Sequence, residues 1–408
     1  MTVPGGPAIG TIYGLRRLSE PRFQAIVLVT LAVVVVLYRA LQFVLFTRQI
    51  QWGYDFSAYW TAAGRLLDGQ PIYQAQQLTG TFSPQQQFLY LYPPFLAALT
   101  TPLAAIFPTD HRAAMSIWAG IGVVIVALVA VGIARLERLP PDGYRLAWLA
   151  AAFAFPPVIG ELVMGNVHIL LLGLLALGWY GIRLADRGDG RGQVLAGIAI
   201  GTAALIKVFP GLIVVWFVLT GRIRAAIWSG IAFGVLALVI LPLTGVQPWL
   251  DYPRVIANLG PPIDPYDALA PAVWLGGFVG VTAARVVVTV VIVLAVAWAA
   301  RHLDDGAGFA LAVVGSIAMA PGLYHHYLAI LVLPFLLAVA HTRRPILLLV
   351  PYLAMFGGDQ PGLGDAAWIV NRAIPSMGLI ALLALLLAEG LERQRDSGLR
   401  GRAAAHAG

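Results

Sequence analysis

Apolar residues in this chain do not alternate with polar ones; they come in long blocks separated by short polar connectors. The first block is Phe23–Phe46, preceded by Arg16, Arg17 and Arg22. Twelve more follow near 88–107, 113–134, 146–160, 166–184, 194–206, 208–220, 225–243, 281–300, 307–320, 327–341, 346–356 and 374–389. About 20 helical residues cross the hydrocarbon core of a bilayer, so the longer blocks predict transmembrane helices. The shorter ones carry Pro or Gly, which a membrane tolerates where neighbouring helices cover the freed backbone groups. The first block has the charged flank of a signal peptide but is too long, and no A-x-A site follows it. It reads as an anchor.

Composition points the same way. Hydrophobic residues make up 60% of the 408, charged residues 11%, and the mean hydropathy is +0.83. Soluble domains carry about 25% charged residues, so this chain cannot cover a water-facing surface, which excludes a soluble enzyme and a disordered chain. The absence of cysteine excludes disulfides, iron–sulfur clusters and thiolate metal sites.

Charge then orients the blocks. The net charge of +7 comes from 25 Arg and one Lys. Arg135, Arg138 and Arg145, Arg183, Arg187 and Arg191, Arg222 and Arg224, Arg301, and Arg343 and Arg344 all fall in short connectors. Arg393, Arg395, Arg400 and Arg402 fall in the tail. Short arginine-bearing connectors face the cytoplasm, which requires an even number of crossings between clusters. Thirteen blocks satisfy this as twelve crossings, and 88–107, broken by Pro93, Pro94 and Pro102, is the block that does not span. The reading is an all-α polytopic membrane protein forming one domain over 1–408, with about 12 transmembrane helices in the cell membrane. Both termini are cytoplasmic, 391–408 is an Arg-rich tail, and 47–112 is an external region containing in-plane helices. The external face then collects 47–112, the Glu161–Asn166 and Lys207–Pro210 turns, 244–280, Pro321–Tyr327 and 357–373. Nearly every unusual polar residue lies in one of those pieces.

Asp55 sits in Trp52-Gly-Tyr-Asp-Phe-Ser-Ala-Tyr-Trp60. It fits an N-cap for a helix running Phe56–Asp68 and ending at Gly69, and equally a general base at the membrane surface. Lys207 is the single lysine, embedded in Ala203-Ala-Leu-Ile-Lys-Val-Phe-Pro-Gly211. A charge inside the membrane costs about 2.5–3.5 kcal/mol and marks a functional site by default; the plain alternative is snorkelling to a headgroup. Pro210 breaks the helix just beyond it, near an outer end, where a lone ammonium would bind a lipid phosphate. His325 and His326 follow Pro321-Gly-Leu-Tyr324; one of them would contact a phosphate or shuttle a proton, since adjacent helical side chains diverge by about 100°. An interfacial histidine pair is the alternative. Tyr92 in Tyr-Pro-Pro-Phe95 fits a kink, and Asn166, followed by His168 and preceded by Glu161, fits a cap as well as a ligand contact. Asp251, Arg254, Asp264, Asp267, Asp359, Asp365, Asn371 and Arg372 are external candidates for acceptor binding.

Several motifs are missing. There is no Walker A, no strand–helix G-x-G-x-x-G and no D-x-D at Asp55. The basic residues cluster in connectors and form no groove, so nucleic acid is not an expected partner. No H-x-x-x-H or carboxylate pair accompanies the histidines, so no metal is expected.

In order and spacing these motifs resemble glycosyltransferase family 87, membrane enzymes of the GT-C class that include polyprenyl-phosphate-mannose-dependent mannosyltransferases. The resemblance rests on Asp55 with Tyr59-Trp60-x-Ala-Ala, Gly69-x-Pro-x-Tyr73, Tyr92-Pro-Pro, Gly165-Asn166, Lys207-x-Phe-Pro210 and His325-His326. It implies a GT-C fold, a polyprenyl-phosphate sugar donor, and an acidic base in the first external loop, falling on Asp55. It also implies donor-phosphate contacts from basic residues, falling on Lys207 and one of His325 and His326. Tyr59, Tyr92, Asn166, His168 and Tyr324 become candidate substrate contacts. The stretch Asn258-Leu-Gly-Pro-Pro departs from the asparagine-rich loop of the family, which bears on acceptor recognition. The implied reaction is inverting transfer of a sugar, mannose first, to a lipid or glycolipid hydroxyl, without cofactor or metal. The competing readings are an arabinofuranosyltransferase of the same fold, a transporter or flippase of lipid-linked sugars, and a non-catalytic envelope scaffold. A transporter would carry comparable polar residues in its cytoplasmic half, and a scaffold would need no lone buried lysine.

Overall fold

The computed structural model describes residues 21–48, 52–83, 89–139, 144–260, 269–320, 322–357, 366 and 368–407. Arg16, Arg17, Asp264, Asp267, Asp359 and Asp365, named above, lie outside them, as do Pro321 and the side chains of the tail arginines. The described residues are helical, without a named strand; one isolated bridge pairs Phe82 with Leu259.

The helices are α1 (Pro21–Phe46), α2 (Tyr54–Leu67), α3 (Ala75–Thr79), α4 (Pro94–Ile106), α5 (His111–Leu136), α6 (Tyr144–Ala154) and α7 (Pro156–Met164). They continue with α8 (His168–Asp186), α9 (Gly192–Ile206), α10 (Gly211–Leu219), α11 (Ile223–Thr244), α12 (Gln247–Asn258) and α13 (Pro271–Val279). The last are α14 (Val281–His302), α15 (Asp305–Ala318), a 3₁₀ segment His325–Leu331 leading into α16 (Val332–His341), α17 (Leu349–Ala354) and α18 (Ile374–Ala407). Six stretches are long and apolar enough to cross a membrane unaided: Val29–Phe46, α5, α8, α11, α14 and Ile369–Glu392. The chain is a multi-pass membrane protein. The 244–280 loop contains α12 and α13, and the tail beyond 391 continues α18 as helix to Ala407.

Burial sorts the helices by neighbour. Every residue of α15 from Gly306 to Ala318 is buried, and so is every residue from His325 to Ala338. These two antiparallel pieces are the centre of the bundle, apolar all round because helices surround them. Leu37, Leu238, Val239 and Leu294 on α1, α11 and α14 are mostly exposed, as befits a face turned to lipid.

The connectors rich in arginine meet at one end. Glu137 takes Arg183 at 3.2 Å and His341 at 3.1 Å, and His341 reaches Asp304 at 3.3 Å. Arg222 pairs with Asp186 and Asp305, Thr342 donates to Glu389, and Arg344 lies 3.4 Å from Glu392. Each intervening segment therefore runs from this end to the other and back. The block at 88–107 takes no part. Tyr92 at its start bonds Asn166, and its last carbonyl, on Phe107, accepts from the Trp60 indole.

Small residues bring α9 and α11 together. Gly197-x-x-x-Gly201 on α9 faces Ala225-x-x-x-Ser229 on α11, and a Cβ at either glycine would collide with α11 backbone oxygens. Such close backbone approach is how helices gain van der Waals contact in lipid. Gly201→Val is expected to cost about 1–3 kcal/mol by overpacking, seen as a lower thermal midpoint in detergent. Gly230→Ala, whose Cβ meets nothing within 4 Å, should leave the midpoint unchanged.

Candidate functional site

Two glycines set the geometry of the opposite end. Gly53, at φ +74°, is the N-cap of α2, and its N–H bonds the Val163 carbonyl of α7 at 2.8 Å. Gly165, at φ +70°, ends α7. Both need the left-handed region that only glycine enters freely, and a Cβ on either would strike the Met115 side chain. The paired turns bring Asp55, in the first turn of α2, beside Asn166. The capping reading of Asp55 is thereby corrected: the helix starts one residue before it, and no side chain caps it.

The Asp55 carboxylate uses one oxygen twice. Oδ2 accepts from Asn166 Nδ2 at 2.8 Å and lies 3.1 Å from His326 Nε2. Oδ1 has no hydrogen-bond partner among the described residues, and the side chain is 23% exposed. One oxygen is held and the other is open. Asn166 combines both readings: the N-cap of α8 is Val167, whose own side chain makes no cap bond, and Asn166 Oδ1 accepts the Val167 N–H at 2.6 Å. Its Oδ1 accepts from Tyr92 Oη at 3.0 Å, and the Tyr59 ring stands edge-on to Tyr92 at 5.0 Å.

Lys207 approaches from the other side. It is the C-cap of α9 in extended backbone, in the connector before α10, and its own N–H closes α9 on the Ala203 carbonyl. Nζ lies 3.1 Å from His168 Nε2 and above the rings of Tyr327 at 3.9 Å and Tyr92 at 5.0 Å. Aromatic faces favour the ammonium by roughly 0.5–2 kcal/mol. Burial outweighs that and pulls its pKa down to about 7, while Glu161 and Asp55 push it back up.

The histidine pair divides. His326 faces Asp55 and stacks with Tyr324 at 6.0 Å, whereas His325 Nε2 lies 2.9 Å from the Met355 carbonyl. Of the two phosphate-contact candidates, His326 lies in the cluster with Asp55, and His325 Nε2 faces the Met355 carbonyl. The 3₁₀ segment turns consecutive side chains about 120° apart. Asp55, Tyr59, Tyr92, Asn166, His168, Lys207, Tyr324 and His326 thus share one end of the bundle. Glu161 and Tyr327 were not singled out. Glu161 is 1% exposed, and its Oε1 accepts the His168 backbone N–H. The signal that could have found it is the rule that intramembrane ionisable residues are functional by default. The space behind the cluster is tight: a cavity of about 10 Å³ is lined by Glu161, Asn166, Trp118 and Gly122. Among the described residues no three His, Asp or Glu side chains converge as metal ligands.

The arrangement pairs an open carboxylate with a lone ammonium, the two held apart by Tyr92 and Asn166. Glycosyltransferase family 87 matches residues 90–334, so the chain belongs to that family. It is 24% identical over 208 residues to a polyprenol-phosphate-mannose-dependent α-(1-2)-phosphatidylinositol mannoside mannosyltransferase of Mycobacterium tuberculosis. That match covers 48% of this chain and 46% of the relative, so the chain spans about half the length of the relative it matches. No solved structure matches.

Because the chain has one lysine, [13Cε]lysine labelling gives a single resonance whose pH titration reads Lys207 directly. The midpoint is expected at about 7, charged below and neutral above. A midpoint near the ordinary 10.5 would mean the ammonium is solvated.

Proposed function

We propose that this family member is an inverting glycosyltransferase that moves a sugar from a polyprenyl-phosphate donor to a lipid or glycolipid hydroxyl at the extracytoplasmic face. The observation that carries the reading is the meeting of Asp55 and Lys207 on opposite sides of the Tyr92–Asn166 pair. The name of the mycobacterial relative makes mannose, a polyprenol-phosphate donor and a phosphatidylinositol mannoside acceptor the first substrates to try. The fold is read as a GT-C bundle of twelve crossings, in which six shorter or broken pieces, α6–α7, α9, α10, α15, the 3₁₀ segment with α16, and α17, count beside the six long spans.

In this mechanism the donor tail lies among the helices and its phosphate meets Lys207, with His326 close to the reacting centre. Asp55 Oδ1 takes the proton of the acceptor hydroxyl as that oxygen attacks the anomeric carbon. The bond from that carbon to the phosphate oxygen breaks on the opposite face, and its electron pair leaves with the polyprenyl phosphate. A β-linked donor thus gives an α-linked product. The leaving group gains a negative charge in the transition state, and Lys207 is positioned to meet that charge as it develops. Charge compensation by the chain's own residues is sufficient for departure, so no metal is required.

General base catalysis contributes roughly 10²–10⁴-fold, so Asp55→Ala and Asp55→Asn should each lower transfer at least about 100-fold. The assay is incorporation of radiolabelled polyprenyl-phosphate mannose into lipid by purified protein with membranes. Wild-type transfer by either variant removes Asp55 as the base. The histidines should separate: His326→Ala lowers kcat, while His325→Ala lowers the thermal midpoint through its Met355 contact and keeps transfer per folded molecule.

A further inference from the structure

Glu161 has no role in the mechanism above, yet it is a nearly fully buried carboxylate one side chain away from Lys207. Its Oε1 accepts the backbone N–H of His168 and lies 3.4 Å from His168 Nδ1. On the far side of the same ring, Nε2 lies 3.1 Å from Lys207 Nζ. The imidazole is clamped between Tyr327, with ring centroids 3.8 Å apart, and Phe209 at 5.9 Å and 8°. It is fully buried and cannot turn over.

The chemistry of the three groups fixes the protons. An ammonium only donates, and a neutral imidazole has one N–H and one acceptor nitrogen. When Lys207 is charged, His168 Nε2 must accept from it, which leaves the ring hydrogen on Nδ1, towards the Glu161 carboxylate. Metal-bound histidines are oriented by carboxylates through a closer bond; here Nδ1 makes no hydrogen bond and the carboxylate, 3.4 Å away, acts on the ring through its charge. The charged and titratable groups around Lys207 are Asp55 from α2, Glu161 from α7, His168 from α8, and His326 and Tyr327 from the 3₁₀ segment, with Tyr92 ahead of α4. Of the two carboxylates, Asp55 already holds Asn166 and His326 on one oxygen.

We propose that Glu161 is a positioning residue: acting through His168, it keeps Lys207 charged and aimed at the donor phosphate. This rests on the reading of Lys207 as the phosphate contact. Glu161 touches no substrate. It acts by opposing the desolvation of the ammonium and by holding the imidazole in the tautomer that points Nζ. A purely structural Glu161 would only anchor the turn through the His168 backbone N–H, a bond that Gln also accepts.

Glu161→Gln therefore separates the two roles. With [13Cε]lysine labelling, the Lys207 midpoint is expected to fall by about one pH unit or more, since a unit charge within several Å is worth that much in a partly buried site. The sign follows from the lysine. Burial pushes the Glu161 carboxyl up to about 8 while His326 and Lys207 pull it back down, so carboxylate and ammonium each favour the other's charged form. Losing the carboxylate disfavours the ammonium, and the pH above which donor binding weakens moves down. At pH 7 the charged fraction then falls from about one half to about one eleventh, so the donor KM should rise roughly fivefold for a shift of one unit. An unchanged midpoint in folded Glu161→Gln overturns the proposal, whatever its activity. Should that variant fail to fold, His168→Gln gives the second reading: it breaks the link between carboxylate and ammonium, and an unchanged midpoint there overturns the proposal equally. A shifted midpoint together with wild-type transfer by Lys207→Ala would uphold the coupling and reject the phosphate role on which the functional reading stands.

Discussion

An ion inside an apolar bundle must be held by other polar groups, and this constraint organises the protein. One intramembrane charge costs about 2.5–3.5 kcal/mol even on lenient scales. A buried charge stripped of its partners costs roughly 3–5 kcal/mol. Among the described residues most ionic groups therefore lie at two ends, Arg39 of α1, bonded to the Ala154 carbonyl, being an exception. The stretches between are nearly pure hydrocarbon, as in α15, where Ser316 is the one hydrogen-bonding side chain between Gly306 and Ala318.

The ends use charge differently. At one, Glu137, Arg183, Asp186, Arg222, Asp305 and His341 pair off and tie the connectors together, so their charges are largely cancelled. At the other, Asp55 keeps an oxygen open and Lys207 meets a histidine and aromatic faces with no direct carboxylate contact. Such incomplete compensation is characteristic of functional sites. The rigid centre carries the consequence: His326 and Tyr327 are presented by the segment that continues into α16, so the site is mounted on the best-packed part of the molecule.

Much of this is legible in the sequence. Arginine parity puts the connectors at one end, because charge cannot be left in the apolar middle, and the prolines mark 88–107 as the block that stays at the other. Lys207 stands out as a lone charge beside a helix breaker. The remainder depends on contacts between distant stretches. Asp55 as a cap and Asp55 as a base look alike until Gly53 and Gly165 bring it beside Asn166. His325 and His326 are equivalent in the sequence, and the 3₁₀ twist separates them. Glu161 looks like an ordinary helix residue because its partners, His168 and Lys207, lie seven and 46 positions away in the chain.

The central claim, that a carboxylate and an ammonium face one donor from two sides, is tested most directly by a structure of the protein with an intact polyprenyl-phosphate sugar bound. The account predicts the donor phosphate within about 3 Å of Lys207 Nζ, with the anomeric carbon lying between that phosphate and Asp55 Oδ1. A phosphate bound elsewhere, with Lys207 still turned to His168 and Asp55 remote from the sugar, would contradict it.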